Sequence, residues 1–572
     1  MPPSFPSRSQ PALRLLLLTV AVVLAAVVAH GRALDAGLVF DDVPIVRDNP
    51  LLDPGTPTAW SALVTAPWWP GAGHDLLWRP FTLLTFALQT AGGAGARGLH
   101  AANVGIHALV CLLLAGLAGS LCRSIRAATV AGLLMAVHPL TSETVTLLVG
   151  RADLLAASGV LVACLGALDL APAHSRRRRV AALFLVACGS AVACLAKENG
   201  FVAPLLVLLV VRAGRGCSRD PGTSSRWRPR LPGLAAAGAA IAPAGAALLL
   251  RIAVLGQIMR TALPAFGDNP LAHAGLVDGR LTALRLLGHS LALFLRPWPL
   301  SIDYSFAQIA VPAASLATLA PVVGGTLALG AIFWLLRRRP VAVCGLLWFF
   351  LAQLPSANLV VTIGTIYAER LLYLPMAGLC LLAADLATGW SGPLLRGRLR
   401  SPSIPVQVGV AAVALLVLAA GTAQTRQRES DYVDELSVWR AATRAAPRSA
   451  KAHYNLGRSL AADGATAAAA REYRRAVRIL PRHLQAWNNL GTAELRLSHP
   501  RAALVALARA ARIAPHNPEV AFNQALALHR LGNEDEAVAA FRRGARLAPE
   551  TAAALRARGE PWASLAIAAH RP

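Results

Sequence analysis

Residues 12–29 read ALRLLLLTVAVVLAAVVA, and residues 37–50, GLVFDDVPIVRDNP, follow after a short connection. The first segment is long for the apolar part of a signal peptide and long enough to cross a bilayer as a helix. We therefore predict an uncleaved first membrane span. The paired acids Asp41 and Asp42 then stand where the chain leaves the membrane, which is a costly place for carboxylates unless they face a polar cavity.

The composition indicates a polytopic membrane protein. Of 572 residues, 55% are hydrophobic and 15% are charged, and the mean hydropathy is +0.52, so the chain is more apolar than a soluble domain. The net charge of +26 would suit a nucleic-acid-binding protein, but many arginines lie in short loops between apolar runs, as orientation signals do. We therefore predict no nucleic-acid partner. Lysine, by contrast, occurs only at Lys197 and Lys451.

Further apolar runs follow the first and give about eleven spans in all. They fall at 99–121, 127–145, 151–171, 180–196, 200–212, 232–255, 313–336, 341–355, 371–389 and 405–422. Enrichment in Arg, Ala, Gly and Pro is typical of a GC-rich bacterial genome. The arginine-rich loops mark the cytoplasmic side, which places Asp41 and the C-terminus on the outer, periplasmic side of a bacterial inner (plasma) membrane. The segment 280–296 would break this alternation, so we expect it to be an interfacial or re-entrant helix.

The C-terminal region changes character because long apolar runs stop and a repeat begins. Positions with a period of 34 are Pro447, Pro481, Pro515 and Pro549, Asn455, Asn489 and Asn523, and Ala469, Ala503 and Ala537. This period predicts tetratricopeptide repeats, each a pair of helices, at about 450–483, 484–517 and 518–551. The predicted fold is all-α: a polytopic membrane helix bundle at 1–424, with its first outer loop at about 32–98, and a soluble α-solenoid at 425–572.

Polar residues from separate regions of the chain all fall on the predicted outer side. They are Asp41, Asp42, Arg47, Asp48, Asn49, His74, Trp78, Arg79, His100, Asn103, His107, His138, Glu143, Arg151, Asp153, Lys197, Glu198, Asp303, Tyr304, Glu369 and Arg370. Any one of them is equally well explained as a helix-end charge or a solvated loop residue. As a set of acids and bases on one face, they favour a polar cavity beside the bilayer.

The chemistry open to such a cavity is narrow. A carboxylate can orient or deprotonate a hydroxyl nucleophile, and arginine or lysine can bind a phosphate and stabilise its charge as it departs. Together they suit transfer of a sugar from a lipid-linked phosphate donor. The alternative of a different class is a non-catalytic envelope scaffold that uses the repeats and is merely anchored by the spans. A transporter is disfavoured because the acids lie at one face and not near the midplane.

Several short motifs, in order, carry a family resemblance. They are FDDVPIVRDNP (40–50), WRPFTLLTFAL (78–88), LHAANVGIH (99–107), HPLTSETVTLLVGRADLLA (138–156), AKENG (196–200), PLSIDYS (299–305) and AERLLYLP (368–375). Followed by tetratricopeptide repeats, they resemble the TMTC-type (transmembrane and tetratricopeptide repeat) protein O-mannosyltransferases or their bacterial relatives, membrane glycosyltransferases of the GT-C fold. The resemblance implies a polyprenyl-phosphate sugar donor, mannose in the animal members, and transfer with inversion to protein Ser or Thr hydroxyls.

The resemblance also implies roles for individual residues. An essential acid stands in the first outer loop of such enzymes, in an Asp-Glu pair after an aromatic residue, and Phe40, Asp41 and Asp42 match that pattern with Asp in place of Glu. We therefore expect Asp41 to be the catalytic carboxylate with Asp42 as its neighbour. The expected donor-phosphate ligands are Arg370, Lys197 and Arg151. The expected cavity-lining residues are Glu143, His138, Asp153, Glu198, Glu369, Arg79, His100 and Asn103, and the repeats would dock an acceptor protein.

Some of these residues have competing interpretations. His138 and Glu143 could hold a divalent cation, but a third ligand is not evident and a monophosphate donor needs none, so we expect no obligatory cofactor and assign no metal ligand. His100 and Asn103 either line the cavity or satisfy one another in the bundle. Arg151 with Asp153, and Lys197 with Glu198, could be ion pairs at helix ends. The same catalytic plan could also act on an envelope glycan or lipid.

Overall fold

The structure is a computed structural model that describes residues 9–53, 60–69, 77–170, 175–216, 231–257, 263–389 and 404–560. In these ranges the regular structure is helical, and no strand occurs. The all-α prediction is therefore confirmed, and His74 lies outside the described residues.

Fifteen helices make up the membrane part of the described chain. They are α1 (Ser9–Ala29), α2 (Trp60–Thr65), α3 (Pro80–Ala91), α4 (Ala96–Cys122), α5 (Ile125–Val137), α6 (Ser142–Thr146), α7 (Arg151–Leu168), α8 (Arg176–Ala196), α9 (Ala203–Gly216), α10 (Leu231–Leu255), α11 (Leu276–Leu295), α12 (Leu316–Leu336), α13 (Pro340–Gln353), α14 (Tyr373–Gly389) and α15 (Ile404–Glu429). Short 3-10 and π turns, among them Val43–Arg47 and Glu369–Leu372, connect several of them.

Eight helices of the described chain are long and apolar enough to cross a membrane: α1, α4, α7, α8, α10, α12, α14 and α15. The protein is accordingly a multi-pass membrane protein. The remaining three predicted spans are the shorter helices α5, α9 and α13, of 13, 14 and 14 residues. The segment predicted to be interfacial is α11. This helix is not among the eight, and it carries the charged residues Asp278, Arg280 and Arg285.

The prediction of one helix over 127–145 is wrong beyond Val137. His138 has an extended backbone (ψ 128°), and Pro139 begins a short 3-10 turn that leads into α6. Proline has no N–H for the preceding turn and disfavours a helical conformation in the residue before it. The chain therefore leaves the helix here, and the break brings Glu143 to the edge of the bundle.

Close approach of helices in the bundle depends on glycine. A Cβ on Gly159 of α7 would lie 2.5 Å from the Gly189 carbonyl oxygen of α8, and the reverse distance is the same. Small residues at such crossings allow backbone contact where lipid offers no hydrophobic driving force for association. The α7–α8 pair can therefore pack tightly only with glycine at both positions.

The repeat domain consists of α16 (Glu435–Ala445), the pairs α17 (Ala450–Ala462) and α18 (Thr466–Ile479), α19 (Leu484–Arg496) and α20 (Pro500–Ile513), and α21 (Pro518–His529) and α22 (Glu534–Leu547), and finally α23 (Pro549–Ala557). The 34-residue period reappears in the structure. Ser449, His483 and Asn517 each accept a hydrogen bond from the backbone N–H three residues on and so cap α17, α19 and α21. The predicted repeats are confirmed.

The two parts of the chain are packed together, with no open linker between them. Helix α15 continues to Glu429, past the predicted division after residue 424. Gly37 of the first loop donates its N–H to the Tyr432 carbonyl over 3.1 Å, and the Ala450 N–H donates to the Phe306 carbonyl over 3.0 Å. Val39 and Trp439 belong to one shared hydrophobic core. The first loop therefore packs against the repeat domain at Gly37 and Val39.

Candidate active site

The ends of several helices bring ionisable side chains together on one side of the bundle. We call this set the polar cluster; its members are Asp41, Arg79, Glu143, Asp153, Lys197, Glu198, Glu369, Arg370 and Arg428. They come from the first loop, the start of α3, helix α6, the start of α7, the end of α8, the segment before α14 and the end of α15. At the opposite end of the bundle, Arg178 pairs with Asp169 and Arg339 with Asp385. The predicted gathering of polar residues at one face is thus what the structure shows.

Asp41 sits beside a guanidinium. Its Oδ2 is 3.6 Å from Arg370 Nη2, and its side chain is 18% exposed, so the carboxylate remains within reach of a substrate. Burial raises the pKa of Asp41, and the positive charges of Arg370, Lys451 and Arg79 oppose that rise. Phe40, immediately before it, has a φ of 54°, a left-handed conformation that is uncommon for a bulky residue and is held by surrounding contacts.

Asp42, the other acid of the pair, is fully buried. Its carboxylate accepts hydrogen bonds from the backbone N–H groups of Leu148 (3.0 Å) and Val149 (2.9 Å). Burial raises the pKa of Asp42 to about 8, against the effect of these two N–H donors. Both oxygens are therefore engaged in joining the first loop to the turn before α7. The geometry gives Asp42 a positioning contact, whereas Asp41 faces the polar cluster.

Arg370 is anchored by Glu143. The guanidinium Nη1 donates to Glu143 Oε1 over 2.9 Å, and the Arg370 backbone N–H donates to the other carboxylate oxygen over 3.1 Å. Glu143 is fully buried, while the Arg370 side chain is 22% exposed. One side of the guanidinium is thus fixed by Glu143, and Nη2 is directed towards Asp41.

Glu369 and Arg428 form the inner part of the cluster. Glu369 accepts hydrogen bonds from the Ser301 N–H at 2.6 Å and from the Tyr304 hydroxyl. Arg428 Nη2 lies 4.0 Å from Glu369 Oε2, and among the described residues these two atoms have no hydrogen-bond partner. Sequence reasoning missed Arg428, because it lies at the end of the last span and outside every quoted motif. The signal available was an arginine that follows an apolar run on the side opposite the basic loops.

The ion pairs around Lys197 differ from those expected. Lys197 Nζ contacts Asp153 Oδ2 at 2.5 Å, with both side chains buried, and Glu198 accepts from Arg79 at 3.1 and 2.9 Å. Arg251 Nη1 also lies 3.3 Å from Glu198. The Lys197–Glu198 and Arg151–Asp153 pairs, which were the alternative interpretations of these residues, are therefore not formed. A 3-10 turn begins at Glu198, so neighbouring residues point to different partners.

Arg151 does not face the cluster. Its side chain is 1% exposed, and it donates to Asn103 Oδ1 (2.9 Å), Gln89 Oε1 (2.5 Å) and the Leu99 carbonyl (2.8 Å). Its guanidinium also stacks 4.1 Å from the Phe86 ring. These neutral acceptors use its donors on all sides, which leaves none directed at a donor phosphate. Arg151 therefore links α7 to α3 and α4 through hydrogen bonds.

Three other predicted cavity residues are also built into the packing. His138 Nε2 lies 2.9 Å from the Phe294 carbonyl, and its Nδ1 accepts from the Leu140 N–H, so both ring nitrogens are occupied. Asn103 donates to the carbonyls of Val145 and Leu147. His100 is fully buried within α4. Among the described residues, no group of three His, Cys, Asp or Glu side chains could hold a metal ion.

The chain is similar to known proteins in both its repeat region and its membrane region. A tetratricopeptide repeat family model matches residues 428–483 and 488–560. Protein O-mannosyl-transferase TMTC4 of Homo sapiens is 28% identical over 507 residues, which cover 78% of this chain and 64% of that protein. Protein O-mannosyl-transferase Tmtc3 of Drosophila melanogaster is 29% identical over 525 residues, which cover 79% of this chain and 54% of that protein. The chain is similar to the TMTC-type protein O-mannosyl-transferases over more than three quarters of its length.

The chain spans less than two thirds of the length of these relatives. Among solved structures, the Archaeoglobus fulgidus oligosaccharyltransferase tethered to an acceptor peptide matches with 15% identity and a TM-score of 0.35, over 73% of this chain and 55% of that chain. The similarity to the protein O-mannosyl-transferases confirms the family resemblance inferred from the motifs. Of the motif residues, Asp41, Glu143, Glu369, Arg370, Asp153, Lys197, Glu198 and Arg79 meet in the polar cluster, whereas Asp42, Arg151, His138, His100 and Asn103 stabilise its surroundings.

Proposed function

We propose that this protein is a membrane glycosyltransferase that moves a sugar from a polyprenyl-phosphate donor to a hydroxyl group of an extracytoplasmic acceptor. The observation that carries the proposal is the pairing of a partly exposed acid, Asp41, with a guanidinium that Glu143 fixes in place. The printed names of its relatives support the same reaction class. Mannose as the sugar and protein Ser or Thr as the acceptor follow from those names and belong to this proposal.

Two residues of the polar cluster have different roles in the proposed reaction. The acceptor hydroxyl hydrogen-bonds to Asp41, which orients the oxygen and takes its proton as the oxygen attacks the anomeric carbon of the sugar. The bond from that carbon to the phosphate oxygen breaks, and the phosphate leaves with the electron pair. Arg370 stabilises the departing charge through its fixed guanidinium. Attack opposite the leaving phosphate inverts the anomeric carbon.

Lys197 and Arg428 have different places in this scheme. Lys197 is paired with Asp153, so its contribution is to the positive potential of the cavity and to the arrangement of α7 against α8. Arg428 is buried, and its Nη2 has no hydrogen-bond partner among the described side chains. A donor phosphate next to Arg370 would therefore have Arg428 as a further cation at the inner side of the cluster. In this scheme the reaction needs no metal cation.

A cleft beside the cluster has the chemistry of a lipid-tail site. It lies between α11, α13 and the segment before α14, and it is lined mainly by apolar side chains, among them Leu286, Ile366, Leu371 and Leu372. Two of these residues follow Arg370 directly in the sequence. The cleft has a volume of about 20 Å³, which is room for a water molecule and not for an isoprene unit. In this proposal the polyprenyl chain therefore packs against the apolar side chains around the cleft while its phosphate contacts Arg370.

The repeats offer a surface for the acceptor close to the same face. A cleft of about 480 Å³ lies between α16, α17 and α18, and it is lined by Thr443, Arg444, Pro447, His453, Arg475, Arg478 and Ile479. An acceptor bound there would be held at a high effective concentration near the first outer loop. The donor and acceptor sites would then meet at Asp41 on the outer side of a bacterial inner membrane.

The test is transfer of radiolabelled mannose from polyprenyl-phosphate mannose to a Ser/Thr-rich peptide by the purified protein. Asp41→Asn removes the base with little change in shape, so the rate should fall by about 100-fold or more. Asp42→Asn should cost less activity, because it alters a positioning contact. Asp48→Asn is the matched control: Asp48 is 55% exposed and pairs with Arg47 at the surface. Full activity of the Asp41 variant would refute the proposed base.

A cellular measurement separates the remaining alternatives. Mass spectrometry of the envelope proteome with and without the gene should show hexose lost from Ser or Thr residues of particular proteins. Hexose lost from a glycan or lipid, with proteins unchanged, would keep the enzyme class and replace the acceptor. No change in any glycosylated product would favour the envelope scaffold.

A further inference from the structure

The repeat domain extends a side chain towards the candidate active site. Lys451, in the first turn of α17, is one of only two lysines in the chain. Its Nζ lies 2.9 Å from Asp268 Oδ1 and 5.9 Å from the centre of the Phe40 ring. The guanidinium of Arg370 lies 5.9 Å from the same ring. Phe40 directly precedes Asp41, so a cation from each part of the chain lies beside the residue that carries the acid.

The first turn of α17 is fixed to the membrane part by its own cap. Ser449 caps the helix by accepting from the Ala452 N–H over 3.0 Å, and its hydroxyl also donates to the Asp303 carboxylate. The Ala307 N–H donates to the Arg448 carbonyl over 3.0 Å. Because the backbone just before Lys451 is held by the membrane part, the position of its ammonium group is determined by the docking of the repeat domain.

A second contact from the repeat domain holds the backbone of the acid itself. Glu435 of α16 accepts from the Phe40 N–H over 2.7 Å and from Trp439 Nε1 over 2.6 Å. The Phe40 and Trp439 rings meet edge to face, with centres 5.5 Å apart. The left-handed conformation of Phe40, which directs Asp41 towards Arg370, is therefore stabilised by α16.

The charges that face these two residues come from both parts of the chain. Asp41 is faced by Arg370 and Arg79 from the bundle and by Lys451 and Glu435 from the repeats, with Asp42 as its neighbour. Lys451 is faced by Asp268, Asp303 and Asp41. The Lys451 side chain is 36% exposed, so it borders solvent at the mouth of the site and does not form part of the buried core.

We propose that Lys451 is a positioning residue of the transfer site, through which the docked repeat domain aligns the Asp41 carboxylate for the acceptor hydroxyl. Its role in transfer rests on the proposed function. The repeat domain would then complete the active site, in addition to any part it takes in binding an acceptor. Loss of the Lys451 charge removes one of the cations that lower the pKa of Asp41, so a larger fraction of that acid becomes protonated at any given pH.

Carbodiimide labelling of the full-length protein tests this directly, since protonated carboxyl groups react faster. Labelling of Asp41 with a carbodiimide and glycine ethyl ester is followed by peptide mass spectrometry over a range of pH. In Lys451→Met the labelling rate near pH 6 should rise by roughly threefold or more, and Lys451→Arg should restore it. Arg458→Met is the matched control, because Arg458 is an exposed cation of the same helix.

Transfer activity provides the second measurement. The acidic limb of the pH–rate profile should move to higher pH in Lys451→Met and remain in place in Lys451→Arg and Arg458→Met. An unchanged labelling profile in Lys451→Met would overturn the proposal, whatever the activity. If the wild-type protein transfers no sugar from a polyprenyl phosphate, the proposed function fails, and the labelling result still decides whether Lys451 acts on Asp41.

Discussion

The repeat domain and the polar cluster are built from contacts of very different sequence separation. In the repeats, His453 contacts Glu472, 19 residues away, and Asn523 donates to Asn488, 35 residues away. In the membrane part, Asp42 is 106 residues from Leu148, and Glu143 is 227 residues from Arg370. Each repeat is thus stabilised by its neighbours, whereas the cluster forms only when most of the chain is in place.

This difference predicts which mutations should have local effects and which should affect the whole candidate site. A defect in one repeat should lower the stability of that repeat and its neighbours. A defect in the cluster, or in the part of the repeat domain that holds the first loop, should remove activity, because partners come from every region. The following experiments test that division, beginning with the largest expected effect.

Deleting residues 448–572 should abolish transfer to short peptides as well as to folded proteins. The deletion removes Ser449, which bonds to Asp303 of the membrane part, Lys451, which lies beside Phe40, and Ala452 and Leu456 of the core shared with the first loop. Transfer to both acceptors is measured for this variant and for one that lacks only residues 518–572, which should retain peptide transfer. Full peptide transfer by the longer deletion would show that the repeats are a separable docking module.

Arg370→Ala should reduce transfer by on the order of 1,000-fold, since it removes the proposed phosphate contact in a site shielded from water. It also leaves the buried Glu143 carboxylate with the backbone N–H of residue 370 but without its guanidinium partner, so folding stability should fall by about 3–5 kcal/mol. Arg338→Ala is the control, because Arg338 is an exposed arginine outside the cluster. Activity and thermal unfolding are measured together, and near-normal activity in folded Arg370→Ala would remove Arg370 from the mechanism.

Glu198 should give the cluster an acid-sensitive contribution to stability. Burial raises the pKa of Glu198, but the charge and hydrogen bonds of Arg79, the charge of Arg251 and a backbone N–H together lower it to about 2, from an ordinary value of 4.5. A depressed carboxyl pKa stabilises the fold above pH 4.5, and this contribution disappears as the pH falls from 4.5 towards 2. Glu198→Gln should therefore lower the Tm by about 2–4 °C at pH 7 and by less near pH 3. A uniform loss at both pH values would indicate a packing defect.

Gly491→Ala should have the smallest effect and confine it to the repeats. A Cβ at this position would lie 2.5 Å from Leu507 Cγ, so α19 and α20 would have to separate slightly, at a cost of about 1–3 kcal/mol. Hydrogen exchange should become faster in these helices and stay unchanged in the first outer loop. Peptide transfer should be normal. A loss of transfer as large as that of Arg370→Ala would contradict the prediction that mutations within one repeat have only local effects.

The sequence by itself determined the features that repeat or that depend on local composition. The length of the apolar runs predicted the long spans. The 34-residue period predicted the repeats, because each helix pair needs small residues and turns at the same positions. Gly464, Ser498 and Gly532, for example, all adopt a positive φ at that spacing. The outer gathering of acids and bases was also predictable, since a bilayer requires charged groups to leave it at the helix ends.

Tertiary structure decided which of those residues face one another. Adjacent Asp41 and Asp42 look equivalent in the sequence, yet one faces Arg370 and the other binds two backbone N–H groups. Arg151 and Arg370 both stand at the start of a span, yet only Arg370 reaches the acid. No local pattern encodes these pairings, because each depends on where a partner more than 100 residues away is placed by packing. Arg428 and Lys451 escaped prediction for a similar reason, because only the folded chain places Arg428 beside Glu369 and Lys451 beside Asp268 and Phe40.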